Sequence, residues 1–220
     1  MTLGAILFDA YGTLLDIHSS VARHAARLGP SAGAISNLWR QKQLEYTWTL
    51  SLAGDYRPFD ALTAEALDFA LATHGIDDPV LRNDLLASYR RLTPFADVAP
   101  TLTALKSSGK KVGILSNGTP GMLREALDSA AIADRLEPIL SVHALRFYKP
   151  DPRVYGMAAE SLYLPPHSIG FVSSNAWDAM GAARVGFKVF LLRRQPGPQE
   201  YALDGKVTPI VSLTALPPLV

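Results

Sequence analysis

Short apolar segments that end abruptly at polar residues recur along this chain. They span 3–8, 111–115, 169–172 and 187–192. Nearly continuous apolar segments of this length are typical of strands buried on both faces of a parallel sheet. Helical patterns follow two of them, at 120–129 and 176–185. The alternation predicts right-handed crossover units and therefore an α/β fold, a Rossmann-like parallel sheet with helices on both faces.

The long segment between the first two strands has a helical pattern throughout. We predict its helices at 18–28, 34–52, 60–74 and 79–92. Glycine and proline interrupt the pattern between these helices. Consecutive helices inserted after a first strand predict a helical-bundle cap over the strand ends. We therefore divide the chain into a cap subdomain, 17–92, and a core domain formed by 1–16 and 93–220.

Composition narrows the range of functions. The chain has 220 residues, of which 48% are hydrophobic, enough for one large domain or for one domain with an insert. With 21 basic and 20 acidic residues its net charge is +1, so we expect neither nucleic acid nor a membrane surface as partner. It has no cysteine, which excludes disulfides and a thiol nucleophile. The first residues lack the basic start of a secretory signal, and we expect a cytoplasmic protein.

The polar residues that end these strands are candidates for chemistry. Ligands of open parallel sheets bind outside the carboxyl ends of the strands, where Asp9, Ser116 and the segment 173–178 should meet. An aspartate at the end of a buried strand is costly unless it is hydrogen-bonded, and Gly12 and Thr13 supply a tight turn and a hydroxyl. An isolated aspartate in this place would simply cap the turn. Three later polar motifs favour a site: LSNG at 115–118, YKPD at 148–151 and SSNAWD at 173–178.

These motifs together resemble the haloacid dehalogenase superfamily and, within it, the type II L-2-haloacid dehalogenases. The residues that carry the resemblance are FDAYGTL at 8–14, LWRQKQLEYTW at 38–48, LSNG, YKPDPRVY at 148–155 and SSNAWDA at 173–179. The resemblance implies hydrolytic dehalogenation of short L-2-haloacids to D-2-hydroxyacids through an aspartyl ester. It also implies a small anionic substrate, a halide product, no cofactor and a homodimer.

The resemblance assigns two overlapping sets of site residues. The catalytic set is Asp9, Thr13, Arg40, Ser116, Lys149, Tyr155, Ser173, Asn175 and Asp178. The substrate-binding set is Ala10, Tyr11, Arg40, Gln41, Leu44, Phe59, Ser116, Asn117 and Trp177. Without the resemblance, the apolar members of the second set would be ordinary core residues.

The first of the implied roles concern the nucleophile and the groups that bind the substrate carboxylate. Asp9 is the expected nucleophile, oriented by Thr13. Lys149, the Ser116 hydroxyl and the amides after Asn117 would bind the substrate carboxylate. They would offset the repulsion between two carboxylates, about 4 kcal/mol at 4 Å and an effective dielectric of 20.

The remaining roles concern the halide and the water. Arg40 would receive the halide, and Asn175 would line its pocket. Asp178 would activate water, with Lys149 as its ion-pair partner. Tyr155 would brace Lys149 or the carboxyl group. Taken alone, Arg40 would be a surface residue and Asp178 a helix N-terminal charge.

Two alternatives stay open at this point. Phosphatases of the superfamily have a second aspartate two residues after the nucleophile and hold magnesium with acidic residues of the last motif. This chain has Tyr11, Ser173 and Asn175 at those places, which indicates a metal-free site. Halide is a weak base that needs no acid to leave, so Tyr11 is consistent with dehalogenation. A catalytically silent scaffold would be expected to lack Asp9, Lys149 or Arg40, and all three are present.

Overall fold

The computed structural model describes residues 3–220. The strands are β1 Ala5–Phe8, β2 Leu15–Asp16, β3 Thr93–Pro94, β4 Lys111–Ser116, β5 Ile139–Ser141, β6 Ile169–Ser173, β7 Lys188–Leu192 and β8 Val207–Ile210. The α-helices are α1 Ser19–Ala22, α2 Ala25–Leu28, α3 Ala32–Ala53, α4 Phe59–Thr73, α5 Pro79–Tyr89, α6 Val98–Ser107, α7 Pro120–Ser129, α8 Pro152–Leu162 and α9 Ala176–Val185. Short 3-10 turns lie at Gly29–Ser31, Ala133–Arg135, Val142–Ala144, Pro166–Ser168, Leu213–Ala215 and Pro217–Leu219.

Six of the strands form one parallel sheet in the order β5-β4-β1-β6-β7-β8. The predicted α/β fold is therefore confirmed. The first strand lies in the middle, and all four of its residues are buried, as its continuous apolar sequence requires. Phe8 pairs with Ile114 of β4 and with Val172 of β6, so the carboxyl ends of the three strands are level. The polar residues that follow them consequently meet at one edge of the sheet.

Prediction of the elements succeeded where the apolar pattern is strong. The four predicted strands are present, and the helices at 120–129 and 176–185 have the expected bounds. The short edge strands β5 and β8 were missed because they are only partly buried, and β8 contains Pro209. Helix α6 was also missed.

One predicted helix is wrong. The segment 18–28 forms two single turns, α1 and α2, instead of one helix. His24 lies between them with non-helical backbone angles, and its ring hydrogen-bonds the Ser88 hydroxyl on α5 at 2.8 Å. A contact with a distant helix therefore overrides the local helical pattern.

A two-stranded antiparallel ribbon joins the helical segment to the sheet domain. Leu15 pairs with Pro94 and Asp16 with Thr93, and α1 to α5 lie between these strands in the chain. Within the segment, α3 packs along α4. Our proposed boundary between core and cap falls at this ribbon.

No helix within residues 3–220 is long and apolar enough to cross a membrane.

Candidate active site

Asp9 lies directly after β1 and is the centre of the site. Its backbone N–H donates to the Val172 carbonyl at 2.9 Å, which fixes it at the sheet edge. The carboxylate is buried, and both of its oxygens accept hydrogen bonds. Thr13 Oγ1 and Asn175 Nδ2 donate to Oδ2 at 3.0 and 2.9 Å, and Lys149 Nζ lies 3.1 Å from Oδ1. The desolvation of this carboxylate is thus compensated, and its orientation is fixed.

Lys149 joins Asp9 to a second carboxylate. Its Nζ lies 2.9 Å from Asp178 Oδ2 as well as 3.1 Å from Asp9 Oδ1, and the side chain is 1% exposed. Burial alone lowers the pKa of an ammonium, but the two carboxylates more than offset it and raise the pKa of Lys149 above its ordinary value. Lys149 is therefore a permanent positive charge at neutral pH.

Asp178, at the start of α9, is held by three donors. Tyr155 donates from its hydroxyl to Oδ1 at 2.6 Å, and Ser173 Oγ donates to Oδ2 at 3.0 Å, beside the Lys149 ammonium. Burial raises the pKa of Asp178, the neighbouring Asp9 adds to this rise, and Lys149 opposes it. A carboxylate with a raised pKa is a better base than free aspartate. Tyr155, predicted to brace Lys149 or the carboxyl group, contacts Asp178.

Gly181 permits the contact between Tyr155 and Asp178. A Cβ at position 181 would lie 2.8 Å from Pro150 Cβ and within 2.6 Å of the Tyr155 hydroxyl. We expect Gly181→Ala to destabilise the fold by about 1–3 kcal/mol through overpacking. Displacement of Tyr155 should also lower kcat by up to about 10²-fold.

Thermal unfolding and turnover measure these two effects of Gly181→Ala. Gly156→Ala is the matched control, because Gly156 also lies in a helix, α8, and a Cβ there meets nothing within 4 Å. The control should be neutral or slightly stabilising, since alanine has the higher helix propensity. Equal behaviour of the two variants would contradict the packing argument.

The loop after β4 closes the site on the side of Lys149. The buried Ser116 Oγ accepts from the Gly118 N–H at 3.2 Å. Asn117 is bound from the other direction, since its Oδ1 accepts the Lys149 backbone N–H at 3.1 Å. Thr119 caps α7 and accepts from the Met122 N–H. The side-chain oxygen of Asn117 therefore holds the Lys149 segment.

Arg40 reaches the site from α3. Its Nη2 lies 3.5 Å from Asn175 Oδ1, which places the guanidinium next to the amide that binds Asp9. Its Nη1 donates to Gln43 Oε1 at 2.9 Å. Sequence reasoning missed Gln43, although its position three residues after Arg40 places both on one helix face. Gln41, the glutamine that was predicted, is exposed.

An aromatic cluster forms around Tyr11, two residues after Asp9. Tyr11 stacks on Tyr89 with ring centroids 5.7 Å apart, and Phe59 lies 5.6 Å from Tyr11. The Tyr11 hydroxyl is buried and has no hydrogen-bond partner within residues 3–220. Burial raises its pKa well above the ordinary value, so it stays protonated and able to donate to a ligand.

The other predicted lining residues differ in burial and in the groups that they contact. Ala10 is fully buried, and its carbonyl accepts the N–H groups of Leu14 and Leu15. Leu44 is half-buried on α3. Trp177 packs edge-on against Trp48 at 5.4 Å, beside an apolar cavity of about 410 Å³ that Lys149 also lines.

Arg194, which no sequence motif indicated, holds the nucleophile loop from outside. Its Nη2 donates to the Thr13 carbonyl at 3.0 Å, and its guanidinium forms two hydrogen bonds with Asp97 at 2.8 and 2.9 Å. The same guanidinium lies 3.9 Å over the Phe95 ring. Thr13 Oγ1 also accepts the Ser174 N–H at 2.9 Å. The turn after β1 is thus fixed through both its backbone and its hydroxyl.

The site does not suit a magnesium ion of the kind that the superfamily's phosphatases use. Magnesium needs several free anionic oxygens in a near-octahedral arrangement. Here Asp9 Oδ2 already accepts hydrogen bonds from Thr13 and Asn175, and Asp9 Oδ1 lies against the Lys149 ammonium, so neither oxygen is free. The last motif has Ser173 and Asn175 where further acidic ligands would be needed. No group of three potential metal-ligating side chains forms within residues 3–220.

Comparison with known protein families shows to which family this chain belongs. The haloacid dehalogenase-like hydrolase family matches residues 3–186. The chain belongs to this family.

Relatives of this family member are similar over almost its whole length. The chain is 47% identical to the (S)-2-haloacid dehalogenase 4A of Burkholderia cepacia, over 99% of this chain and 95% of the relative. It is 46% identical to the (S)-2-haloacid dehalogenase 1 of a Pseudomonas species, over 98% and 95%. The L-2-haloacid dehalogenase from Xanthobacter autotrophicus, solved with chloropropionic acid covalently bound, superposes with a TM-score of 0.91 at 34% identity, covering 99% of this chain and 98% of that one.

Proposed function

We propose that this protein hydrolyses short L-2-haloacids to D-2-hydroxyacids through an ester on Asp9. The observation that carries the proposal is the buried Lys149 ammonium between Asp9 and Asp178, which places the expected nucleophile next to a second carboxylate that can act as a base. Relatives at 46–47% identity named (S)-2-haloacid dehalogenases support it. So does a similar structure that holds chloropropionic acid covalently.

The first step forms the ester. An Asp9 carboxylate oxygen attacks C2 of the haloacid, the C2–halogen bond breaks, and the halide leaves with the bonding electrons. Arg40 and Asn175 lie together near Asp9 and would receive the halide. Lys149, Ser116 and the amides of the following loop would bind the substrate carboxylate. The configuration at C2 inverts because attack and departure are in line.

The second step releases the product. Once Asp9 is a neutral ester, Asp178 is the carboxylate that remains next to Lys149. We assign it as the base that takes a proton from water while the oxygen attacks the Asp9 ester carbon. The bond between the Asp9 carbonyl carbon and the ester oxygen then breaks, and the alkoxide takes the proton from Asp178 and leaves as the hydroxyacid. Asp9, now a carboxylic acid, loses its proton to solvent and is again a carboxylate. C2 is untouched in this step, so one inversion remains and L substrate gives D product.

Halide release from the two enantiomers of 2-chloropropionate tests the proposal. We expect release from the L form only, D-lactate as product, and no change when EDTA is present. Hydrolysis of phosphate monoesters that requires magnesium, without halide release, would instead establish the phosphatase alternative. The homodimer stays a prediction that light scattering of the purified protein can test.

A further inference from the structure

Gln43 is buried between three helices, one turn after Arg40. It is 1% exposed and lies on α3, facing α4 and α5. Its Oε1 accepts from Arg40 Nη1 at 2.9 Å. Its Nε2 donates to Thr63 Oγ1 at 2.7 Å and to the Tyr89 hydroxyl at 3.1 Å. Every polar group of this amide is therefore used.

The orientation of the amide follows from its neighbour on α4. Thr63 Oγ1 donates its single proton to the Phe59 carbonyl at 2.6 Å, so it can only accept from Gln43. The nitrogen of the Gln43 amide must consequently face Thr63. Its oxygen is left to face Arg40, and a flipped amide would place two donors against each other.

A neutral partner has a specific consequence for Arg40. A carboxylate at this position would also hold the guanidinium, but it would neutralise the charge. A neutral amide oxygen accepts a hydrogen bond from the guanidinium and so holds its orientation, but it does not cancel the positive charge of Arg40. Arg40 Nη2 points toward Asn175, whose Nδ2 binds Asp9, so the charge is directed at the nucleophile side of the site.

We propose that Gln43 is a positioning residue that aims Arg40 at the departing halide without neutralising it. The inference rests on the proposed function, because it assumes that halide leaves next to Arg40. It does not depend on the roles of Lys149 or Asp178. The observation that supports it is an uncharged side chain at a buried position in contact with an arginine.

Apart from Asp9, which Arg40 approaches through Asn175, the groups around this pair do not supply a compensating charge. Burial raises the pKa of the Tyr89 hydroxyl and of the Tyr11 hydroxyl, so both are neutral at neutral pH. Lys42 and Glu45 on α3 pair with each other at 2.9 Å. A glutamate at position 43 would therefore act on Arg40 directly.

Gln43→Glu and Gln43→Met separate charge from packing. Both variants keep the approximate length of the side chain, and Gln199→Glu adds the same charge at an exposed position as control. The measurement is kcat/KM for L-2-chloropropionate and L-2-bromopropionate, which reports breakage of the carbon–halogen bond. Thermal unfolding of each variant checks that the fold is kept.

We expect Gln43→Glu to lower kcat/KM for the chloro substrate by about 10²-fold, the usual effect of losing one stabilising group. The bromo substrate should lose less, because bromide leaves more readily, so the bromo-to-chloro ratio should rise at least about threefold. Gln43→Met should raise the ratio to a smaller extent, and Gln199→Glu should leave it unchanged.

Equal losses for both halogens in the two Gln43 variants would indicate packing alone and overturn the proposal. Wild-type rates in both variants would overturn it as well. A wild-type protein that releases no halide would refute the proposed function itself, and that result is visible before any variant is made. If Gln43→Glu does not fold, the bromo-to-chloro ratio of kcat/KM in Gln43→Met still tests the proposal.

Discussion

Asp9→Asn is expected to abolish halide release, lowering kcat by at least about 10⁴-fold, as loss of a covalent nucleophile does in other hydrolases. Asparagine keeps the shape of the side chain and can still contact Thr13 and Lys149, but its amide cannot attack carbon efficiently. The measurement is halide release from L-2-chloropropionate at saturating substrate. Asp77→Asn, at an exposed position, is the control and should retain full activity.

A labelling experiment with the wild type completes this prediction. In the proposed mechanism water attacks the ester carbon of Asp9, so the new oxygen of the product comes from Asp9. With excess enzyme in ¹⁸O-labelled water, the first turnover should therefore give unlabelled hydroxyacid and a labelled Asp9. Labelled product in the first turnover would show that water attacks C2 directly, with Asp9 as a base, and would refute the ester.

Lys149→Met should have the second largest effect, on both stability and rate. Removal of the ammonium leaves Asp9 and Asp178 as two buried carboxylates that repel each other. Breaking a buried ion pair by removing one partner costs about 3–5 kcal/mol. The rate should fall by about 10³-fold, because substrate carboxylate and nucleophile lose their common counter-charge. Chemical denaturation and halide release measure the two effects.

A double variant separates the two effects of Lys149. Adding Asp178→Asn to Lys149→Met removes one of the repelling charges, so part of the lost stability should return while activity stays absent. Lys188→Met, an exposed lysine at the start of β7, is the matched control and should change neither quantity. Recovery of turnover in the double variant would contradict the role given to both residues.

The sheet edge was predictable from sequence because parallel strands align their carboxyl ends. Asp9, Ser116 and Ser173 each follow or end a continuous apolar segment, and level strands bring such residues together without further information. The edge strands escaped prediction because half-buried segments have a weaker apolar pattern.

The supporting contacts were not predictable in the same way. Gln43 depends on α3, α4 and α5 meeting, and Arg194 binds the Thr13 carbonyl from 181 residues further along the chain. No local pattern of apolar and polar residues predicts either contact. The helix face of Arg40 did contain a usable signal, since a residue three positions later must lie beside it. Gln41, the neighbour in sequence, is on the exposed side.

The ribbon of β2 and β3 has a consequence for how such a molecule can change over evolution. Because Leu15 pairs with Pro94 and Asp16 with Thr93, the chain leaves the sheet domain and returns to it one strand spacing apart, about 5 Å. The whole intervening segment could be exchanged for a longer or shorter one without rerouting the rest of the chain.

The exchangeable segment carries Arg40 and Gln43, whereas Asp9, Lys149 and Asp178 remain outside it. In the proposed mechanism the nucleophile and the base thus lie in the sheet domain, and recognition of the halide lies in the inserted segment. Changes in the inserted segment could therefore alter which leaving group the site accepts, while Asp9 and its neighbours in the sheet domain stay the same.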